Sequence, residues 1–137
     1  MAETMAELNR VAELGHLHEL YKYPQATIYL TGHASTEIGT FTLSKGLWLL
    51  QTKWYFYGSN PVWIKGSWYR MGDTLDSSGT EYSNILDYKC MDDNESFAGV
   101  QIVDNAEDKT VHVRVYTNGN TGTYNISVFE VYGVKIR

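Results

Sequence analysis

Residues 108–137, DKTVHVRVYTNGNTGTYNISVFEVYGVKIR, are the stretch that decides the fold. Val111, Val113 and Val115 alternate with His112, Arg114 and Tyr116, which is the period-two pattern of a strand with one buried face. The Asn/Gly run at 118–122 then supplies residues that tolerate positive φ, as a tight connection requires. A second strand follows this turn. The hairpin therefore predicts that the sequence upstream of it also belongs to an all-β domain.

The sequence from residue 25 onward lacks helical signals and contains regularly spaced turn clusters. We predict eight strands, at 27–31, 38–43, 47–57, 62–71, 81–90, 99–103, 110–117 and 123–136. In the third of these, one face carries Trp48, Leu50, Trp54 and Phe56, which we assign to the core. Eight short strands with regular turns are typical of an antiparallel β-sandwich or jelly roll.

The N-terminal segment differs in character from the rest of the chain. Residues 1–23 are rich in Ala, Leu, Glu and Met, and Pro24 follows as a stop signal, so the sequence predicts a short α-helix. The chain thus divides into an N-terminal helix at 1–23 and a β-sandwich head at 24–137. The helix could pack on its own β domain, or it could meet the same helix of other copies as a trimeric stalk; we favour the stalk.

Composition argues against several classes of protein. The net charge is −5 and the basic residues are scattered, so no nucleic-acid footprint is present. No apolar run reaches the roughly 18 residues of a membrane span, and the N-terminus does not resemble a secretory signal peptide. The single cysteine, Cys90, cannot form an internal disulfide, and we expect it to be a packed, inert thiol.

Catalytic and metal-binding patterns are weak in this sequence. His16 and His18 point to different sides of a helix, and His112 faces away from the core valines, so we expect surface or interface histidines. The acidic turn at 92–95 lacks the ordered spacing of a calcium loop and is better interpreted as a solvated loop. We therefore predict a protein that is not an enzyme and needs no metal or cofactor.

Several runs of the sequence carry a family resemblance: FTLSKGLWLLQTKWYF at 41–56, VHVRVYTNGNTGTYNISV at 111–128 and VKIR at 134–137. Within the first run, Thr42, Leu43, Gly46 and Trp48 match a recurring strand start. Together these runs resemble the C-terminal domains of bacteriophage tail and baseplate fibres. The resemblance implies a jelly roll similar to tumour necrosis factor, assembly as a homotrimer, and recognition of a bacterial surface. It also implies a place in the virion (tail, baseplate or fibre tip) after synthesis in the host cytoplasm.

Aromatic residues cluster around the turn at 58–61, and this cluster is the strongest signal of a binding site. Aromatic faces flanked by amides suit carbohydrate, but exposed aromatic area also builds subunit interfaces. For Trp63, Trp68 and Tyr69, core or interface placement competes with glycan contact. We favour a site at this turn in which Tyr57 and Trp63 stack on the ligand and Asn60 forms hydrogen bonds with it. The predicted ligand-binding residues are Tyr57, Asn60, Trp63, Trp68 and Tyr69.

Three functions are compatible with these features. The first is a trimeric phage receptor-binding protein that recognises a host surface glycan or protein without catalysis. The second is a structural virion component that decorates or plugs the particle. The third is a glycan depolymerase. The N-terminal helix is predicted to contact other virion proteins.

Overall fold

The computed structural model describes Met5 and residues 14–23, 26–30, 33–58, 65–73, 85–91, 95–118 and 122–137. All the elements within these segments are strands: β1 (Leu17–Lys22), β2 (Ala26–Leu30), β3 (Ala34–Leu43), β4 (Gly46–Gly58), β5 (Trp68–Gly72), β6 (Ile85–Cys90), β7 (Glu95–Asn105), β8 (Lys109–Thr117) and β9 (Gly122–Lys135). None of the described segments contains a helix that could cross a membrane.

The strands form two antiparallel sheets. In sheet A, β1 and β2 pair with successive parts of one edge of β9, and the order continues through β4 to β7. Sheet B has the order β3-β8-β5-β6. The chain changes sheet at every connection from β2 onward except the one between β5 and β6. The predicted all-β antiparallel sandwich is therefore confirmed.

Side-chain alternation places the core where the sequence predicts it. On β4, Trp48, Leu50, Trp54 and Phe56 are buried, while Gln51 and Lys53 on the other face are exposed. On β8 the three valines at 111, 113 and 115 are fully buried. The two buried faces belong to different sheets, so the core is the layer between sheet A and sheet B.

Trp54 is at the centre of this layer and joins the two sheets. Its ring stacks on Tyr69 of sheet B at 4.9 Å between centroids and meets Phe129 of sheet A edge-on at 5.1 Å. Phe56, also on β4, stacks on both Trp54 and Tyr124 at 5.5 Å. Rings of this size dominate core energetics, so much of the 14% aromatic content serves packing rather than binding.

The predicted N-terminal helix is wrong over its last turns. Leu17–Lys22 is strand β1, which pairs with β9 from Leu17 opposite Val134 to Lys22 opposite Glu130. The Ala/Leu/Glu composition favours a helix locally, but the open edge of β9 offers backbone partners that override this weak propensity. Of residues 1–13 the structure describes Met5 alone, which is helical, so the helix stays a prediction there.

A β-bulge explains why apolar residues occupy both even-numbered and odd-numbered positions of β9. In a strand without a bulge, this pattern would suggest that both faces are covered. The register with β4 shifts by one residue between Val128 and Ile126, which leaves Ser127 as the extra residue. Tyr124 before the bulge and Phe129 after it are both fully buried, although their parities differ. One core face therefore accounts for both.

Candidate ligand-binding face

The structure separates the predicted site residues. Tyr69 is fully buried against Trp54, so it belongs to the core and does not contact a ligand. Its neighbour Trp68 faces outward on sheet B. Tyr57 is half-buried on the outer face of sheet A, beside Tyr55 at 5.3 Å between ring centroids. Trp68 and Tyr57 thus lie on opposite outer faces. Asn60 and Trp63 lie outside the described residues.

Trp68 belongs to a row of flat side chains on the outer face of sheet B. Tyr116 of β8 is directly opposite Trp68, and their rings stack at 5.2 Å with an interplanar angle of 13°. On the same strand as Trp68, the Arg70 guanidinium carbon is 4.2 Å from the Trp68 ring centroid and 5.2 Å from that of Tyr88. Tyr88, on β6, is the most exposed of these side chains at 47%.

A second arginine lies beside this row. Arg114 of β8 is directly opposite Arg70 of β5. Its Nε donates a hydrogen bond to Ser35 Oγ at 2.8 Å, and its Nη2 donates to the Ser35 carbonyl at 3.1 Å. These bonds hold the guanidinium group against the face. We call the set Trp68, Arg70, Tyr88, Arg114 and Tyr116 the aromatic–arginine cluster.

The cluster lies near the end of the sandwich where three connections meet. The residues that flank the β4–β5 and β6–β7 connections bond to one another: Gly66 N–H donates to the Met91 carbonyl and Met91 N–H to the Ser67 carbonyl, each at 2.8 Å. Asn118, after β8, donates its backbone N–H to Ser67 Oγ at 3.0 Å. Its side-chain amide donates to the Lys65 carbonyl at 3.3 Å, where Gly66 has a φ of +80° and a Cβ would meet this amide.

These contacts join the bases of three connections, which contain the favoured turn at 58–61, the acidic turn at 92–95 and the Asn/Gly run at 118–122. They are alternate connections of the sandwich, which is why they share one end. The turn tips at 59–64, 92–94 and 119–121 lie outside the described residues. The prediction that the acidic turn binds no metal ion therefore stays a prediction.

Cys90 is not the packed thiol that the sequence predicts. The thiol is exposed rather than packed, on the strand position opposite Trp68. The alternation of β6 explains this, because the neighbouring Met91 is fully buried and therefore faces the core.

Two acidic side chains near the cluster have partners. Glu37 of β3 is opposite Arg114, but its Oε1 contacts His112 Nδ1. Asp87 lies at the edge of the sandwich between β6 and β7, where it accepts hydrogen bonds from Tyr88 N–H at 2.9 Å and Gln101 Nε2 at 3.3 Å. Burial raises the pKa of Asp87, and these hydrogen bonds lower it in part. Asp87 therefore helps to join the two sheets.

Sequence reasoning missed four of the five cluster residues: Arg70, Tyr88, Arg114 and Tyr116. Alternation with the core valines does predict that Arg114 and Tyr116 face outward. The missing information is strand pairing. The pairing of β5 with β8 brings together residues more than 40 positions apart, and the pairing of β5 with β6 places Tyr88 opposite Arg70.

Comparisons with known proteins bear on the fold. No protein-family model and no curated protein matches the sequence. The VP2 subviral particle structure of infectious bursal disease virus matches 88% of this chain with a TM-score of 0.56 and 7% sequence identity. The two chains share a fold. The T13 viral particle structure of the same virus matches 88% of this chain with a TM-score of 0.53 at 4% identity. This chain spans about a third of the length of either viral chain, 32% and 31% respectively.

Proposed function

We propose that this protein is a bacteriophage receptor-binding or fibre-tip protein that recognises a host surface glycan or protein without catalysis. The observation that carries the proposal is the aromatic–arginine cluster. Stacked rings and guanidinium groups on the outside of a rigid sheet are suited to binding, because their geometry is set before the ligand arrives.

The fold supports a virion location. The sheet orders β1/β2-β9-β4-β7 and β3-β8-β5-β6, with the chain alternating between sheets, are those of an eight-stranded jelly roll in which β1 and β2 form one interrupted strand. The chains with which this protein shares its fold come from a subviral particle and a viral particle. The sequence resemblance to phage fibre domains supports the narrower assignment to the tail.

An apolar row on the outer face of sheet A supports assembly as a homotrimer. Leu17, Val134, Leu49 and Ile102 are neighbours across the strands β1, β9, β4 and β7. Leu17 is 64% exposed and Ile102 is 71% exposed, and the nearby Val100 is 62% exposed. A contiguous apolar row across four strands of a folded domain is typical of a protein–protein interface.

The test of the proposed function is adsorption of labelled protein to a panel of bacterial strains and to their purified surface polysaccharides. Trp68→Ala removes the ring at the centre of the cluster, and we expect roughly tenfold weaker adsorption, since loss of one aromatic contact with the ligand removes about 1–2 kcal/mol. Tyr57→Ala on the other sheet is the matched control and should adsorb like the unchanged protein. Each variant is first checked for cooperative unfolding well above the assay temperature, so that a loss of adsorption is not caused by unfolding.

The other outcomes of this experiment assign other functions. If Tyr57→Ala loses adsorption and Trp68→Ala does not, the site is at the turn that the sequence favours. Shortening of the polysaccharide would show a depolymerase. A structural virion protein is the second candidate, and the apolar row favours it because assembly alone explains that surface. Absence of adsorption to every strain would support this candidate.

A further inference from the structure

We propose that the ligand of the aromatic–arginine cluster is a sugar residue that carries a carboxylate, held by the guanidinium groups of Arg70 and Arg114. This inference names the ligand class of the site described above and therefore rests on the proposed function.

The first argument is the placement of two arginines opposite each other on neighbouring strands. Like charges at such a cross-strand pair repel each other and lower the stability of the sheet. Arg70 and Arg114 occupy this pair in a protein whose net charge is −5. An anion bound between the two groups would offset their repulsion.

The second argument is the hydrogen bonding of the Arg114 guanidinium group. Its Nε and Nη2 bonds to Ser35 use one edge of the guanidinium group. Within the described part of the chain, no carboxylate forms an ion pair with Arg114, and Glu37 opposite it contacts His112 instead. The remaining edge, formed by the two Nη groups, matches the two oxygens of a carboxylate in a bidentate arrangement.

The third argument is the stacking of Arg70. Its guanidinium group lies over Trp68 and beside Tyr88, so the rings contact its faces. Stacking orients the group and sheds water from its faces, while its hydrogen bonds form only in its own plane. The exposed ring of Tyr88 adds an apolar surface at the end of the row, suited to the C–H groups of a sugar ring.

The test compares two acidic saccharides with neutral counterparts. Calorimetry or biolayer interferometry would measure binding of an oligogalacturonate and an oligosialate to the full chain, and of their methyl esters, which keep the sugar but lose the charge. We expect the esters to bind roughly tenfold to a hundredfold more weakly, the range for a charged hydrogen-bonded contact. Arg114→Gln should weaken binding of the acids by a similar factor and leave binding of the esters unchanged.

Two control variants sharpen this result. Lys53→Gln removes one positive charge from the exposed outer face of sheet A and should bind the acids like the unchanged protein. Arg114→Lys keeps the charge but loses the planar fork, so it should bind with intermediate strength.

Three results would overturn the inference. These are equal affinity for an acid and its ester, absence of binding to both acids, and equally strong binding of dextran sulfate with the same dependence on Arg114, which would show a site for any anion. None of these affects the proposed function, because loss of cell adsorption in Trp68→Ala is measured independently of ligand charge.

Discussion

At the scale of single residues, Tyr21 and Gly39 illustrate how the two sheets are joined at one edge. The Tyr21 ring of β1 packs against Phe129 of its own sheet and against Phe41 of sheet B. Its hydroxyl donates a hydrogen bond of 2.8 Å to the Ile38 carbonyl, directly over Gly39. Partial burial between the two sheets raises the pKa of Tyr21 to about 12. A Cβ at position 39 would overlap this ring.

Substitution of Gly39 should therefore be harmful only when Tyr21 is present. We expect Gly39→Ala to lower the free energy of unfolding by about 1–3 kcal/mol, the usual cost of overpacking. In a Tyr21→Ala background the same change should be neutral or stabilising, because alanine is favoured over glycine in a strand. Denaturant unfolding of the four proteins gives this coupling directly. Equal costs in both backgrounds would mean that the ring does not restrict position 39.

At the scale of elements, pairing with β9 makes residues 17–22 a strand, although their composition favours a helix. Helix propensity differs by less than about 1 kcal/mol per residue, whereas β1 satisfies backbone groups along β9 and places Leu20 against Gly133. Leu20 is the extra residue of a bulge, which lets both Leu20 and Tyr21 pack against the core.

Two N-terminal deletions separate β1 from the residues before it. A deletion of 1–22 removes the strand, and a deletion of 1–13 leaves it in place. We expect the longer deletion to be less stable than the shorter one by at least about 2 kcal/mol, since it exposes apolar surface that Leu20 and Tyr21 cover. Thermal unfolding of both proteins measures the difference. Equal melting temperatures would contradict a contribution of β1 to sheet A.

At the scale of the whole molecule, the two outer faces of the sandwich have different chemistry. The outer face of sheet B carries rings and arginines, while that of sheet A carries the apolar row. We infer that sheet B binds the ligand and sheet A binds other copies of the chain. This division leaves the ligand face accessible after assembly, so several sites can act together on one surface.

Light scattering at micromolar concentration tests this assignment. We expect the unchanged protein to have close to three times the 15.6 kDa mass of one chain. Ile102→Lys places a charge in the apolar row and should shift the protein to monomer with an unchanged fold, because burial of an unpaired charge disfavours association. Thr42→Lys, on the exposed outer face of sheet B, is the control and should leave the mass unchanged. A monomeric unchanged protein, or equal effects of both lysines, would refute the assignment.

The sequence by itself determined most of the sandwich. Each of the eight predicted strands contains or overlaps an observed strand, and the buried parity of β4 and β8 is as predicted. The reason is that alternation is a local property: a strand with one face in the core needs apolar residues at every second position, wherever its partners lie. A bulge such as that at Ser127 breaks this rule, because one extra residue exchanges the two faces.

Only the tertiary structure decided the identity of β1, the assignment of Tyr69 to the core, and the composition of the aromatic–arginine cluster. Each depends on which strands are neighbours. Composition alone predicts a helix at 17–22, whereas pairing with the edge of β9 makes this segment a strand. Similarly, Trp68 meets Tyr116 and Arg70 meets Arg114 only because β5 pairs with β8. Strand pairing in a sandwich joins residues far apart in sequence, and the free energy that selects the pairing comes from burying both sheets at once, a property that no local stretch of sequence contains.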